Sequence, residues 1–253
     1  MRPWTNFESR SAALALASLS YRTAGAGRPV VFLHGAGGLR YSPAAALLAG
    51  RCQVFQPVLP GFDGSDYAPG IESIEELASV VADFIAAVAP GGKAAVVGHS
   101  FGGRLAAWLA LSHPHRVEAL VLECPAGFGL KEAPSKDPAV LRRQLYVRAD
   151  EAPPEDKTEE VVRRNRLALE RYGLVARDET LVSRLAEIAL PTLIVFGTEE
   201  RLIDPGAARL LNAGIRGSFL VYVHDAAHNM DVDQPQRTAD AIARFLFGAG
   251  TAR

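Results

Sequence analysis

Short, nearly unbroken apolar runs alternate with longer stretches in which apolar residues recur every three or four positions, and this alternation predicts strands and helices in turn. The runs are residues 30–33, 54–59, 94–97, 119–122, 193–196 and 219–223, each four to six residues long, as expected of strands covered on both faces. Helical stretches are predicted over 73–88, 102–112 and 235–247. In the first of these, Ile74, Leu77, Val81, Phe84, Ile85 and Val88 fall on one stripe that can face a sheet. The repeated order of strand and helix predicts an α/β protein: a mostly parallel central sheet with helices on both faces.

One connection breaks the pattern. Residues 128–187 leave the alternation for far longer than the roughly two to six residues of an ordinary strand–helix loop, so they form an insertion with structure of its own. The core is then 1–127 together with 188–253. The insertion opens with a Pro- and Lys/Glu-rich stretch, passes Pro153-Pro154 and reads as two helices. Thr158 followed by Glu159 and Glu160 starts the first, Asn165, Ala168 and Tyr172 share one side of it, and Gly173 ends it. Asp178 caps the second, which carries Leu181, Val182, Leu185 and Ile188.

Composition narrows the partner. With 253 residues, 49% of them apolar and 22% charged, the chain can bury one large core. A formal net charge of −1 leaves no basic footprint for nucleic acid or an anionic membrane, so a small-molecule substrate is expected. Cys52 and Cys124 are too few for a disulfide framework or a four-ligand zinc site, and they suit a reducing, cytoplasmic setting. No apolar run reaches the length that spans a bilayer. The run from Ser11 to Ser20 resembles the apolar part of a signal peptide, but Glu8 lies upstream and a polar turn follows. The favoured reading is a pair of edge strands joined by a turn.

Chemistry concentrates at three loops. Gly98-His-Ser-Phe-Gly102, followed by Gly103, stands directly after the run 94–97 and directly before a helical stretch, the context that a G-x-S-x-G elbow requires. A nucleophile on so sharp a turn needs a strained backbone, and side chains two positions before and after it would collide, hence Gly98 and Gly102. Ser100 is the candidate nucleophile, and the N–H of Phe101 points into the same space. The rival reading makes Ser100 a helix N-cap, which accounts for the serine but not for its glycines.

After the run 30–33 comes His34-Gly-Ala-Gly-Gly38, at the carboxyl end of a strand, where such sheets place their sites. The N–H of Ala36 is the candidate second donor of an oxyanion hole with Phe101. A dinucleotide-binding loop is the rival, but Arg40 occupies the third glycine position and residues 58–59 lack the acid that would hold a ribose. His228 lies on a loop after the last strand and is the candidate base. His224 and His228 are four apart, yet a strand ends between them, so they are not a helical metal pair; neither metal nor cofactor is expected. His34 and His99 are read as structural residues of the loops, alongside Gly35.

These residues resemble the α/β-hydrolase fold family, in its group of lid-bearing serine esterases and carbon–carbon bond hydrolases. His34-Gly35 is similar to that family's oxyanion motif, Leu59-Pro-Gly-Phe-Asp-Gly-Ser65 to a loop after an early strand, Gly98–Gly103 to the elbow, Phe196–Arg201 to the acid loop, and Ala227-His228 with Asp233-Gln-Pro235 to the histidine loop. The resemblance implies that 128–187 is a helical lid that covers the pocket and sets substrate choice. It also implies a triad acid after Gly197. The family's aspartate position is occupied here by Glu200; Glu123, at the end of the run 119–122, is the second choice and Asp204 the third. The implied activity is that of a serine esterase acting on a small, partly apolar ester through an acyl-enzyme. The alternatives are a carbon–carbon bond hydrolase of diketone-type substrates and a non-catalytic ligand-binding member of the fold.

Overall fold

The computed structural model describes residues 6–154 and 157–248. Its strands are β1 (Glu8–Ala13), β2 (Ser18–Ala24), β3 (Pro29–Leu33), β4 (Gln53–Pro57), β5 (Ala94–His99), β6 (Val117–Glu123), β7 (Thr192–Gly197) and β8 (Phe219–Val223). They form one sheet in the order β1-β2-β4-β3-β5-β6-β7-β8. Pairing is parallel from β4 through to β8, while β1–β2 and β2–β4 are antiparallel. Every residue of β3 and nearly every residue of β5 and β6 is buried, as strands covered on both faces require.

The helices are α1 (Pro43–Leu48), α2 (Ile74–Val88), α3 (Phe101–Ser112), α4 (Pro138–Leu145), α5 (Glu159–Arg171), α6 (Glu179–Ser183), α7 (Pro205–Gly214), α8 (Met230–Asp233) and α9 (Pro235–Phe247). In α2 a capping box joins Ser73 and Glu76: the Glu76 N–H donates to Ser73 Oγ (3.2 Å) and the Ser73 N–H to Glu76 Oε2 (3.0 Å). Ile74, Leu77, Val81, Phe84 and Ile85 are buried, so the expected stripe does face the sheet. The periodicity did not disclose α1 and α7, which are short. Both begin with a side-chain cap, Ser42 or Asp204, followed by a proline.

The chain from Ser11 to Ser20 is the end of β1, a tight turn and the start of β2, with Ala13 opposite Ser18 and the Leu14 N–H donating to the Ala17 carbonyl at 2.8 Å. Side chains of β2 alternate between exposed and buried, as in an antiparallel strand with one solvated face; β1 is the edge, while β2 is paired on both sides, so only one of the two expected edge strands is an edge. Residues 1–5, upstream of that run, lie outside the described residues.

Among the described residues the chain builds three α-helices between β6 and β7, not two, and the second expected helix ends at Ser183 and is followed by a 3-10 turn, Leu185–Glu187. The additional one, α4, is capped by Asp137, whose Oδ1 accepts the N–H groups of Ala139 (2.8 Å) and Val140 (3.1 Å). Its Arg- and Gln-rich sequence hid it. The expected starts of the other two are observed: Thr158 caps α5 and Asp178 caps α6. Asn165, Ala168 and Tyr172 are all buried. The Tyr172 hydroxyl donates to the Pro60 carbonyl at 3.1 Å, so the ring is packed apolar surface with its one polar atom satisfied, a burial worth roughly 2–3 kcal/mol.

The strand order fixes where a site can be. The chain passes from β3 to β4 on one side and places β5 on the other, so the loops leaving β3 and β5 diverge at the carboxyl end of the sheet. A crevice opens at such a reversal. Leu33 is in register with Gly98, which sets the loop 34–40 and the turn at Ser100 side by side.

Candidate active site

Ser100 stands between β5 and α3 with φ 53° and ψ −114°, a conformation that an L-residue rarely adopts. The surroundings hold it there. Its N–H donates to the Glu123 carbonyl (3.0 Å), and its own carbonyl accepts from Gly103 (2.9 Å), Arg104 (3.2 Å) and Ala126 (2.9 Å). Its hydroxyl makes no capping bond to α3, which removes the N-cap reading. A Cβ at Gly98 would lie 2.3 Å from the Gly102 carbonyl oxygen, and one at Gly102 would lie 2.2 Å from that of Leu33. Only hydrogen fits at either position, and the strand, the turn and the helix pack as closely as the sequence pattern required.

His34 and Gly35 open the loop after β3. His34 is buried; its Nδ1 lies 2.9 Å from the Gly35 carbonyl and its Nε2 3.1 Å from the Leu59 N–H. A carbonyl accepts and an N–H donates, so the ring is the neutral Nδ1–H tautomer. Burial pushes its pKa down to about 4. Residues 35–38 form a tight turn closed by the Gly38 N–H on the Gly35 carbonyl (3.1 Å). Among the described residues, no acceptor takes the N–H of Ala36 or that of Phe101, the first residue of α3.

His228 lies on the loop between β8 and α8. Its Nδ1 is 2.8 Å from Glu200 Oε2, and both side chains are almost wholly buried. The extra methylene of glutamate is accommodated by turning the other oxygen back onto its own loop: Oε1 accepts the N–H groups of Leu202 (2.7 Å) and Ile203 (3.2 Å). Burial alone would raise the Glu200 carboxyl. His228, the Cys124 thiol and the Leu202 N–H outweigh it and hold the pKa at about 2.

Among the described residues, neither of the other candidate acids bonds to His228. Asp204 caps α7, with Oδ1 accepting the Gly206 N–H. Glu123 is buried at the end of β6, beside a cavity of about 40 Å³ whose lining includes Arg40, Gln56 and Asp231. Burial, with Asp231 nearby, pushes its pKa up to about 8.

Three contacts of the site left no trace in the sequence. Cys124, in a left-handed conformation (φ 39°), places its thiol beside Glu200, and burial drives the thiol pKa well above the usual value. Its sulfur and the ligand atoms of Glu200 and His228 lie within 4.8 Å of one another, close enough to share a metal. A metal there would displace the thiol proton and the Nδ1–H of His228, and so break the pairing just described. His99 donates through Nε2 to the His228 carbonyl (3.0 Å), and burial lowers its pKa to about 3. Arg40, on the loop after β3, pairs with Asp231 (2.9 and 2.5 Å) and reaches Asn229 Oδ1 (3.3 Å), gripping the chain just after His228.

Known proteins place this arrangement in context. Residues 30–241 match the model of the alpha/beta hydrolase family. The chain is 30% identical to the pimeloyl-[acyl-carrier protein] methyl ester esterase of Aeromonas hydrophila, over 90% of this chain and 99% of that protein. It is 26% identical to the 2-hydroxy-6-oxo-6-(2'-aminophenyl)hexa-2,4-dienoic acid hydrolase of Metapseudomonas resinovorans, over 89% and 86% of the two chains. Among solved structures, a serine hydrolase involved in carbazole degradation superposes with a TM-score of 0.79 at 24% identity, covering 95% of this chain and 98% of the other. The carboxylesterase CesB of Bacillus subtilis superposes with a TM-score of 0.70 at 18% identity, covering 96% and 92%. The sheet order, the elbow between β5 and α3 and the family match over most of the chain converge on one conclusion: this chain belongs to the alpha/beta hydrolase family.

Proposed function

We propose that the chain is a serine hydrolase that cleaves a small, partly apolar ester through an acyl-enzyme on Ser100. The observation that carries this reading is the Glu200–His228 contact at 2.8 Å. It commits Nδ1–H to the carboxylate and leaves Nε2 of the ring as a base. In the first step His228 takes the Ser100 proton, Oγ bonds to the acyl carbon and the carbonyl oxygen becomes an oxyanion held by the N–H groups of Ala36 and Phe101. The alcohol leaves with the proton that His228 returns. Water, deprotonated by the same ring, then attacks the acyl-enzyme, and expulsion of Ser100 releases the acid.

Residues 128–187 act as the lid in this reading, excluding bulk water from the pocket and shaping it for substrate. The reading calls for no metal or cofactor.

A second reading, carbon–carbon bond hydrolysis of a diketone-type substrate, is favoured by the similarity to the Metapseudomonas hydrolase. It would use the same serine and histidine.

Intact-mass analysis after treatment with a fluorophosphonate tests the nucleophile. One adduct is expected on the wild-type chain and none on Ser100→Ala. A folded wild-type chain that takes no label would favour a binding-only member of the fold. Comparing turnover of short aryl esters with that of vinylogous diketones separates the two hydrolytic readings.

A further inference from the structure

The turn 35–38 carries the proposed oxyanion donor, and a residue from the far side of the chain holds it in place. Asn165, buried in α5, donates through Nδ2 to the Gly37 carbonyl (2.8 Å) and to Asp63 Oδ1 (3.1 Å), while its Oδ1 accepts the Asp63 N–H (2.7 Å). Lys157, from the same insertion, reaches the same two acceptors, Gly37 O and Asp63 Oδ1, at 2.5 Å each. Asp63 closes the cluster from the core: its Oδ2 accepts the Leu39 N–H at 2.6 Å. The peptides on both sides of Gly38 are therefore fixed, the preceding carbonyl by the insertion and the following N–H by Asp63.

Two independent details show that the backbone is adapted to this cluster. Gly38 has φ 83°, and a Cβ there would lie 2.3 Å from Asp63 Oδ1 and 2.6 Å from Lys157 Nζ, so only glycine lets the loop approach. Asp63 itself is non-glycine at φ 49°, a conformation that costs roughly 1–2 kcal/mol and persists where surrounding contacts hold it.

We propose that Asn165, with Lys157, is a positioning residue for the oxyanion loop, so that the insertion completes the oxyanion hole by holding the Gly37 carbonyl. This rests on the reading of Ala36 as an oxyanion donor. A four-residue turn has few soft dihedrals, so reorienting the Gly37 peptide also turns that of Ala36. The cluster then acts on transition-state stabilisation more than on substrate affinity.

The test compares Asn165→Ala and Lys157→Met with Arg171→Met. Arg171 also ties α5 to the core, through the Ile71 carbonyl at 2.8 Å, but touches no part of the loop 34–40. Thermal midpoints establish folding; kcat and KM for a short aryl ester and the inhibition constant of an aryl boronic acid, which forms a tetrahedral adduct, are then measured. Asn165→Ala is expected to lower kcat about 10- to 100-fold, with KM within about threefold, and to weaken the boronic acid by the same factor as kcat. Lys157→Met is expected to act in the same direction by a smaller factor, and Arg171→Met to leave kcat within about twofold. Should Asn165→Ala not fold, Lys157→Met carries the test alone. A folded variant at either position whose kcat matches that of Arg171→Met, or which raises only KM, overturns the proposal. A wild-type chain that neither takes fluorophosphonate nor hydrolyses esters overturns the nucleophile reading itself, an outcome distinct from labelled, active enzyme with unaffected variants.

Discussion

The Glu200 carboxylate accepts from His228 Nδ1 at 2.8 Å while its second oxygen takes two N–H groups of its own loop. One side chain thus performs two tasks: it orients the imidazole and pins the segment 200–203. A carboxylate so thoroughly hydrogen-bonded stays ionised down to about pH 2.

Glu200→Gln is expected to keep the fold and lose activity. The amide nitrogen facing Nδ1 would favour the opposite tautomer, and a comparable change in a serine–histidine–acid triad costs about 10⁴ in turnover. Glu200→Asp shortens the reach by one methylene, so a loss of roughly 10²-fold is expected from misplacement alone. Steady-state kcat on an aryl ester checks both; a Gln variant within tenfold of wild type would remove Glu200 from the mechanism.

Stability should follow pH through the same residue. The folded pKa of about 2 lies below the ordinary carboxylate value of 4.5. Glu200 therefore stabilises the fold at pH values above 4.5, and the contribution fades as pH falls toward 2. Glu123 has the opposite sign. Its folded pKa, about 8, lies above 4.5, so ionisation favours the unfolded chain increasingly from pH 4.5 to 8. Glu123→Gln is expected to stabilise the fold at pH 8 by a free energy on the order of a few kcal/mol, raising the thermal midpoint there, and to leave the midpoint nearly unchanged at pH 4. Thermal scans across that range decide; a variant that loses stability at pH 8 would show that the ionised carboxyl is needed.

How much of this could be read from the sequence depends on the range of the cause. The elbow was legible because its requirement is local: the Cβ of Gly98 would strike residue 102, four positions away. The stripe of α2 and the caps at Thr158 and Asp178 are equally local. The resemblance offered Glu200 first, through its register after Gly197, with Glu123 and Asp204 behind it, but gave no sign of the folding back of its second oxygen. Arg40 and Asp231 are 191 residues apart, and Asn165 and Asp63 are 102 apart. Polar pairs at such separations leave no periodic trace, and each residue alone reads as a solvated side chain. α4 was missed for a related reason, since its polar sequence lacks the apolar stripe that would announce a buried face.

Arg104 ties the elbow helix to the insertion. From α3 it donates to Asp178 Oδ2 through Nε (2.8 Å) and reaches the Gly173 carbonyl, while Trp108 Nε1 donates to the same Asp178 oxygen (3.0 Å). Both charges are nearly buried, so removing one strands the other. Arg104→Met is expected to destabilise the fold by about 3–5 kcal/mol, and Arg104→Met with Asp178→Asn by less than the single change. Denaturant titration measures both. A double variant less stable than Arg104→Met would mean that the carboxylate is not stranded, because the Trp108 Nε1–H and the Leu181 N–H still hold it.

Cys124 offers the most selective perturbation of the acid. Its thiol is buried against Glu200 and its pKa is raised, so the thiolate needed for alkylation is scarce, and the native chain is expected to retain full activity during exposure to iodoacetamide. Cys124→Ala removes the thiol beside Glu200 without placing a β-branched side chain at φ 39°. Cys124→Ser keeps a donor at the same place. If the thiol helps to hold Glu200 against His228, Ala should lower kcat about tenfold or more and Ser should restore most of it. Equal activity in the two variants, with equal thermal midpoints, would assign Cys124 to packing alone.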